Sequence, residues 1–370
     1  MKILLKILVF LPITVFLQAD SSNYDHTSMG SMHDHSSMEM THADKHTMSH
    51  HSLPIGIMGN MHHKGFMLSL KQGWMKMKGN IFDGNSISNS QILLMPNPFG
   101  NMPPNLSIIP KTMDMKMTMI DGMYALSEDL TLMLMATYVS KDMNLETYSP
   151  MMPRSSIGQF SSSSSDLSSL SFSGLFRISQ TNNSKWFGEI SLKESIGQND
   201  SMTTVLTPMG KKMTMTMPYA MQSGDNSSSL ILGLTNLKEI NEKVVFGNQL
   251  KRKIVVSESD WSFGDQTELS TWAQYFFNKS TSFSARLKFI DEDSISGKNP
   301  LIMGPVQTAN PMNYGGYKIY LGFGLNINLN ILQGEKDTIG FEILKPIKQD
   351  LNGLQMEKDY QIIVGYKKNI

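Results

Sequence analysis

The chain has 370 residues, 32 basic and 32 acidic side chains, a formal net charge of zero, no cysteine and 32 methionines. That balance argues against nucleic acid as a partner, and without cysteine no disulfide can support the fold in an oxidising compartment. Hydrophobic residues make up 40%, yet beyond the first segment no apolar run approaches the ~18 residues of a membrane helix.

Residues 1–19 read as a secretory signal. Lys2 and Lys6 precede the apolar stretch ILVFLPITVFL, and Ala19 offers a small residue for cleavage. Residues 20–54 then hold His26, His33, His35, His42, His46, His50 and His51 with Met29, Met32, Met38, Met40 and Met48. The segment has no apolar period, so it cannot offset its ordering entropy and reads as a disordered tail. His62 and His63 follow, and from residue 64 onward there is no histidine.

Residues 55–370 are dominated by period two. Alternating runs of roughly ten residues occur at 66–78, 112–125, 130–139, 168–178, 186–194, 229–237, 244–255, 266–277, 283–289, 317–328, 338–345 and 359–368. In the run 317–328, Tyr317, Ile319, Leu321, Phe323, Leu325 and Ile327 form one face, while Gly322, Gly324, Asn326 and Asn328 lie on the other. This pattern fits a soluble sandwich or a transmembrane antiparallel β-barrel, and three features favour the barrel. The runs match a tilted crossing, Trp74, Trp186, Trp272 and Tyr366 sit near run ends as girdles do, and DYQIIVGYKKNI ends on an alternating, apolar-terminated strand. The expectation is an all-β barrel of about twelve strands, within ten to fourteen, with the tail at its N-terminus. Three stretches read as outer or gating loops: the proline-rich LLMPNPFGNMPPNLSIIP, the serine-rich SSSSSDLSS and residues 195–226. IDEDS, residues 290–294, reads as a solvated loop.

Methionine raises the functional question. Met113, Met115, Met117 and Met119 alternate and Met123 continues the series; Met67, Met75 and Met77 oppose a face of Phe66, Leu68, Leu70 and Trp74, and Met133 and Met135 oppose Leu132 and Leu134. If residues 127–129 form the turn between two of these runs, Met123 stands opposite Met133 and the series points into the lumen; a two-residue turn would reverse it. Thioethers prefer Cu(I), and imidazoles suit Cu(II), zinc and nickel. The tail and the His62–His63 pair would then capture copper or a related soft ion, and the barrel methionines would line its route. Methionine also serves simply to fill irregular apolar space, and a histidine-rich tail can be a solvated linker. No catalytic motif occurs, and no obligatory cofactor is implied.

The blocks LPIGIMGNMHHKGFMLSLKQGWMKMKGN, MTMIDGMYALSEDLTLMLMATYVSKDMN, PYAMQSGD and FEILKPIKQDLNGLQMEKDYQIIVGYK resemble, in that order, a family of bacterial outer-membrane transporters catalogued under the MetA pathway of phenol degradation. The resemblance runs from about residue 54 to the C-terminus and implies a Gram-negative outer-membrane barrel. It carries motif positions such as Gly56, Met58, Gly59, Tyr219, Met221 and Gln222. Asn60 and Met61 depart from the acidic-plus-histidine form expected there.

Three functions are open on this reading. One is copper handling with envelope metal-handling partners in the periplasm, one is a passive channel for small organic solutes such as phenolics, and one is a metal-buffering surface protein with a plugged lumen.

Overall fold

The computed structural model describes residues 53–59, 65–100, 102–329 and 337–370. Twelve strands form the wall: β1 (Gly65–Phe82), β2 (Ile108–Ala125), β3 (Leu130–Tyr148), β4 (Ser156–Gln180), β5 (Ser184–Ser195), β6 (Ser228–Asn241), β7 (Val244–Ser257), β8 (Gln266–Phe276), β9 (Thr281–Glu292), β10 (Gly316–Leu329), β11 (Asp337–Leu351) and β12 (Gln355–Asn369). Each pairs antiparallel with its neighbour in sequence, and β12 closes onto β1. Closure gives every strand a partner on both sides, the condition for placing backbone N–H and C=O groups inside a bilayer.

Lipid dictates the outer face. On β1, Phe66, Leu68, Leu70 and Trp74 are exposed, and Lys76 and Lys78 follow on the same parity. Gly65 to Trp74 is therefore the membrane crossing, about ten residues long as a tilted strand requires. On β2, Tyr124 and Ile120 give way to Lys116 and Asp114; on β3, Leu134 and Tyr138 give way to Asp142 and Asn144. These strands continue beyond the membrane rim. The connections at 126–129, 181–183, 242–243 and 277–280 are short, whereas 83–107, 196–227 and 293–315 on the opposite side are long. That is the periplasmic-turn, external-loop asymmetry of outer-membrane barrels.

Three expectations need correction. SSSSSDLSS is not a loop: it lies inside β4, paired with Thr137 to Asn144 of β3. Above the rim the outer face no longer needs apolar residues, so serines occupy both faces and the alternation disappears. Trp272 belongs to no girdle; it is buried on the lumenal side, while Trp74 and Trp186 face outward. IDEDS is half strand, because Ile290, Asp291 and Glu292 complete β9 and Glu292 turns inward to Lys318.

Candidate functional site

The lumen is closed from outside by two inward loops. Residues 196–227 fold into a hairpin, Met202–Leu206 against Lys212–Thr216, and then a 3-10 turn, Tyr219–Met221; residues 293–315 contribute a second turn, Gln307–Ala309. They meet wall residues and Trp261 of the 258–265 connection in one apolar cluster containing Met113, Met143, Met217, Met221, Met356 and Tyr219. The Tyr219 and Trp261 rings meet edge to face at 4.7 Å. Lys141 Nζ donates to the carbonyls of Ala220 (3.0 Å) and Gln222 (2.5 Å), and Gln222 Nε2 donates to the Met217 carbonyl at 2.8 Å. The Tyr314 hydroxyl accepts from the Ala220 N–H at 2.9 Å and donates to the Thr308 carbonyl at 2.7 Å, joining the two loops. Burial raises the pKa of both Tyr219 and Tyr314, so they hold these contacts as neutral phenols.

Between this cap and the upper ends of β2–β4 lies a cavity of about 480 Å³. Its lining is mainly apolar and includes Phe99, Met143, Phe160, Met213, Met221 and Val306. Met213 and Met215 therefore belong to the cap and not to a membrane-crossing strand.

Below the cap the wall has three chemically distinct sectors. The β1–β3 sector carries methionine. Met67, Met123 and Met133 stand in register on three strands, Met75 faces Met115, and Met77 and Met143 flank Met113. Met117 lies opposite Gly73, Met119 opposite Lys71, and Met135 opposite Asp121. The turn is the one that puts Met123 against Met133, with Ser127 Oγ accepting from the N–H groups of Asp129 and Leu130. Every barrel methionine of the sequence analysis shares the inward parity. The β4 sector is hydroxylated, with Ser162, Ser164, Ser169, Ser171 and Ser173 inward. The rest of the wall is charged. Lys251 pairs with Glu189 at 2.6 Å, Lys288 with Glu268 at 2.8 Å, Lys318 with Glu292 at 3.0 Å and Arg286 with Glu342 at 2.6 Å. Sequence reasoning missed this sector, although Lys and Glu recur on the inward parity of β5, β7, β8 and β9.

The periplasmic end is closed from inside. Residues 53–59 cross the lumen and touch three parts of the wall: Ile55 packs on Tyr320, Leu344 and Ile363; Ile57 on Phe187, Leu237 and Trp272; Met58 against Met123, Met133 and Leu175. Asn326 Nδ2 donates to the Leu53 carbonyl at 2.8 Å. Two glycines make room. A Cβ at Gly340 would stand 2.7 Å from Ile55 Cβ, and one at Gly365 would stand 2.6 Å from Ile55 Cδ1. Gly56 rests on the Arg286–Glu342 pair, where a Cβ would meet Glu342 Oε2 at 2.6 Å.

The proposed metal ligands divide in two. His26, His33, His35, His42, His46, His50, His51, His62 and His63, with Met29, Met32, Met38, Met40 and Met48, lie outside the described residues. Met67, Met113, Met123 and Met133 do come together with other methionines, but in apolar packing. Among the described residues there is no histidine and no group of three His, Cys, Asp or Glu able to hold a metal.

A closed twelve-stranded barrel with external loops folded into its mouth defines an outer-membrane β-barrel fold. The chain is similar to an outer-membrane channel from Pseudomonas putida F1, at TM-score 0.52 and 11% identity, covering 86% of this chain and 100% of that one. It also matches the TodX monoaromatic hydrocarbon channel in a deltaS2 mutant form (TM-score 0.43, 12% identity, 83% and 91% covered) and a Pseudomonas aeruginosa FadL homologue (0.38, 7%, 82% and 90%). No family model and no curated protein sequence matches the chain. The MetA assignment accordingly rests on the four sequence blocks alone.

Proposed function

We propose that this protein is a passive outer-membrane channel for small, largely apolar organic solutes. The observation that carries this reading is the apolar cap cavity, because Met143 and Met221 line it and also belong to the cluster that continues onto Met77 and Met113 of the lumenal wall. Its volume of about 480 Å³ suits one substituted aromatic ring, since an apolar cavity of ~150 Å³ already takes benzene. Thioethers give a route that is polarizable and adaptable without fixed polar partners.

Liposomes holding the mature protein should swell in isotonic 4-hydroxybenzyl alcohol. Val205→Trp, which fills the cavity from the loop hairpin, should bring the rate close to that of protein-free vesicles. Equal swelling by the two proteins would reject the cavity as the entry.

On this reading copper binding resides in the tail, supported only by its imidazole-rich composition. Chelator competition with Cu(I) and Cu(II) should lose its sites when residues 20–52 are removed. The sites should persist when Met67, Met123 and Met133 become leucine. Retained Cu(I) sites in the tail-less barrel would return the wall methionines to the role of ligands.

A further inference from the structure

The inward charges of the wall are unbalanced in one direction. Five inward carboxylates are held in ion pairs: Asp121 with Lys71, Glu189 with Lys251, Glu268 with Lys288, Glu292 with Lys318 and Glu342 with Arg286. Asp166 accepts the N–H groups of Leu167 and Gln198, and Asp225 those of Ser227 and Phe263. Lys193, Lys253, Lys358 and Lys367 share the inward parity and have no ion pair among the described residues. All four are half-buried and face the lumen side of the wall.

Three of these lysines lie near the external ends of their strands, directly below the cap. Lys193 is two residues before the end of β5, Lys253 is four before the end of β7, and Lys358 is three after the start of β12. Lys193 lies within the fields of both Lys253 and Asp225, and Glu292 interacts with both Lys253 and Lys358. A solute leaving the apolar cavity therefore meets methionine together with positive charge: Lys358 stands in register with Met77, and Lys193 and Lys253 face the lumen from β5 and β7. Low-dielectric walls with one sign of charge concentrate ions of the opposite sign, and ammonium-to-carboxylate hydrogen bonds are among the stronger ones.

We propose that Lys193, Lys253 and Lys358 form a carboxylate-binding station, so that the preferred solutes are small amphipathic organic anions with a ring or short chain on the methionine face. This deepens the channel reading and rests on it.

Three solutes of one shape separate the two ideas: 4-hydroxybenzoate, 4-hydroxybenzyl alcohol and 4-hydroxybenzylamine, at neutral pH, with uptake into vesicles holding the full mature protein. The carboxylate should enter about tenfold faster than the ammonium compound. In the triple variant K193Q/K253Q/K358Q that ratio should fall to near one, each rate being normalised to the alcohol. Passage of the alcohol with equal rates for the two ions in the wild-type protein would overturn the station and leave the channel standing. No passage of any solute would overturn both. Should the triple variant fail to insert, the reversal potential of the wild-type protein across a KCl gradient decides: anion selectivity supports the station and cation selectivity overturns it.

Discussion

Ile55→Ala combined with Ile57→Ala should turn a sparingly conducting barrel into a freely conducting one. Each substitution removes a buried side chain that anchors residues 53–59 to the wall. At the low end of the large-to-small scale this costs ~2 kcal/mol per site, or ~30-fold per site in the ratio of docked to undocked segment. Single-channel recording in planar bilayers would show frequent long openings where the wild-type protein shows few. Gly365→Val approaches the same end from the wall, since its side chain needs the space that Ile55 Cδ1 fills, and it should raise conductance in the same direction. If both variants insert normally and conduct like the wild type, residues 53–59 do not obstruct the path.

The second large effect is on stability. Arg286 and Glu342 are 2% and 1% exposed, and the pair is incompletely satisfied because Arg286 Nε and Glu342 Oε1 have no hydrogen-bond partner among the described residues. Glu342→Ala should lower the barrel's unfolding free energy by about 3–5 kcal/mol, because the guanidinium stays buried without its counter-charge. Replacing both residues, R286M with E342L, should recover most of that loss, since an apolar pair of similar volume avoids the desolvation cost. Urea titration of micelle-refolded protein, followed by the gel-mobility change of the folded barrel, measures both. A double variant as unstable as the single one would assign the pair a net stabilising role beyond charge compensation.

The wall was legible in the sequence because lipid enforces it. A strand that crosses a bilayer must show apolar residues at every second position, so all twelve runs marked strands, and the longest extensions occur where that demand ends. Residues 139–148 of β3 and 156–167 of β4 lie above the rim, and there polar residues on both faces hide the period. The parity of Met123 and Met133 was legible only through the turn at 127–129. Interior chemistry was harder to read. Nothing local distinguishes Glu292 in a wall from Glu292 in a solvated loop, since its partner Lys318 sits on the next strand. The LPIGIMG segment did carry a signal: Leu53, Ile55 and Ile57 alternate directly after a polar tail, which is the pattern of an extended segment docking on apolar surface.

Residues 53–59 also bear on the mechanics of the wall. A chain that touches β10–β12 through Ile55, β5–β8 through Ile57 and β2–β4 through Met58 braces the cylinder across its bore, as spokes brace a rim. Withdrawing it would widen the path and at the same time leave the hoop unsupported, more easily flattened by lateral pressure from the lipid. Permeability and rigidity are thus tied to one short stretch of chain, so the barrel should be softest when it conducts best.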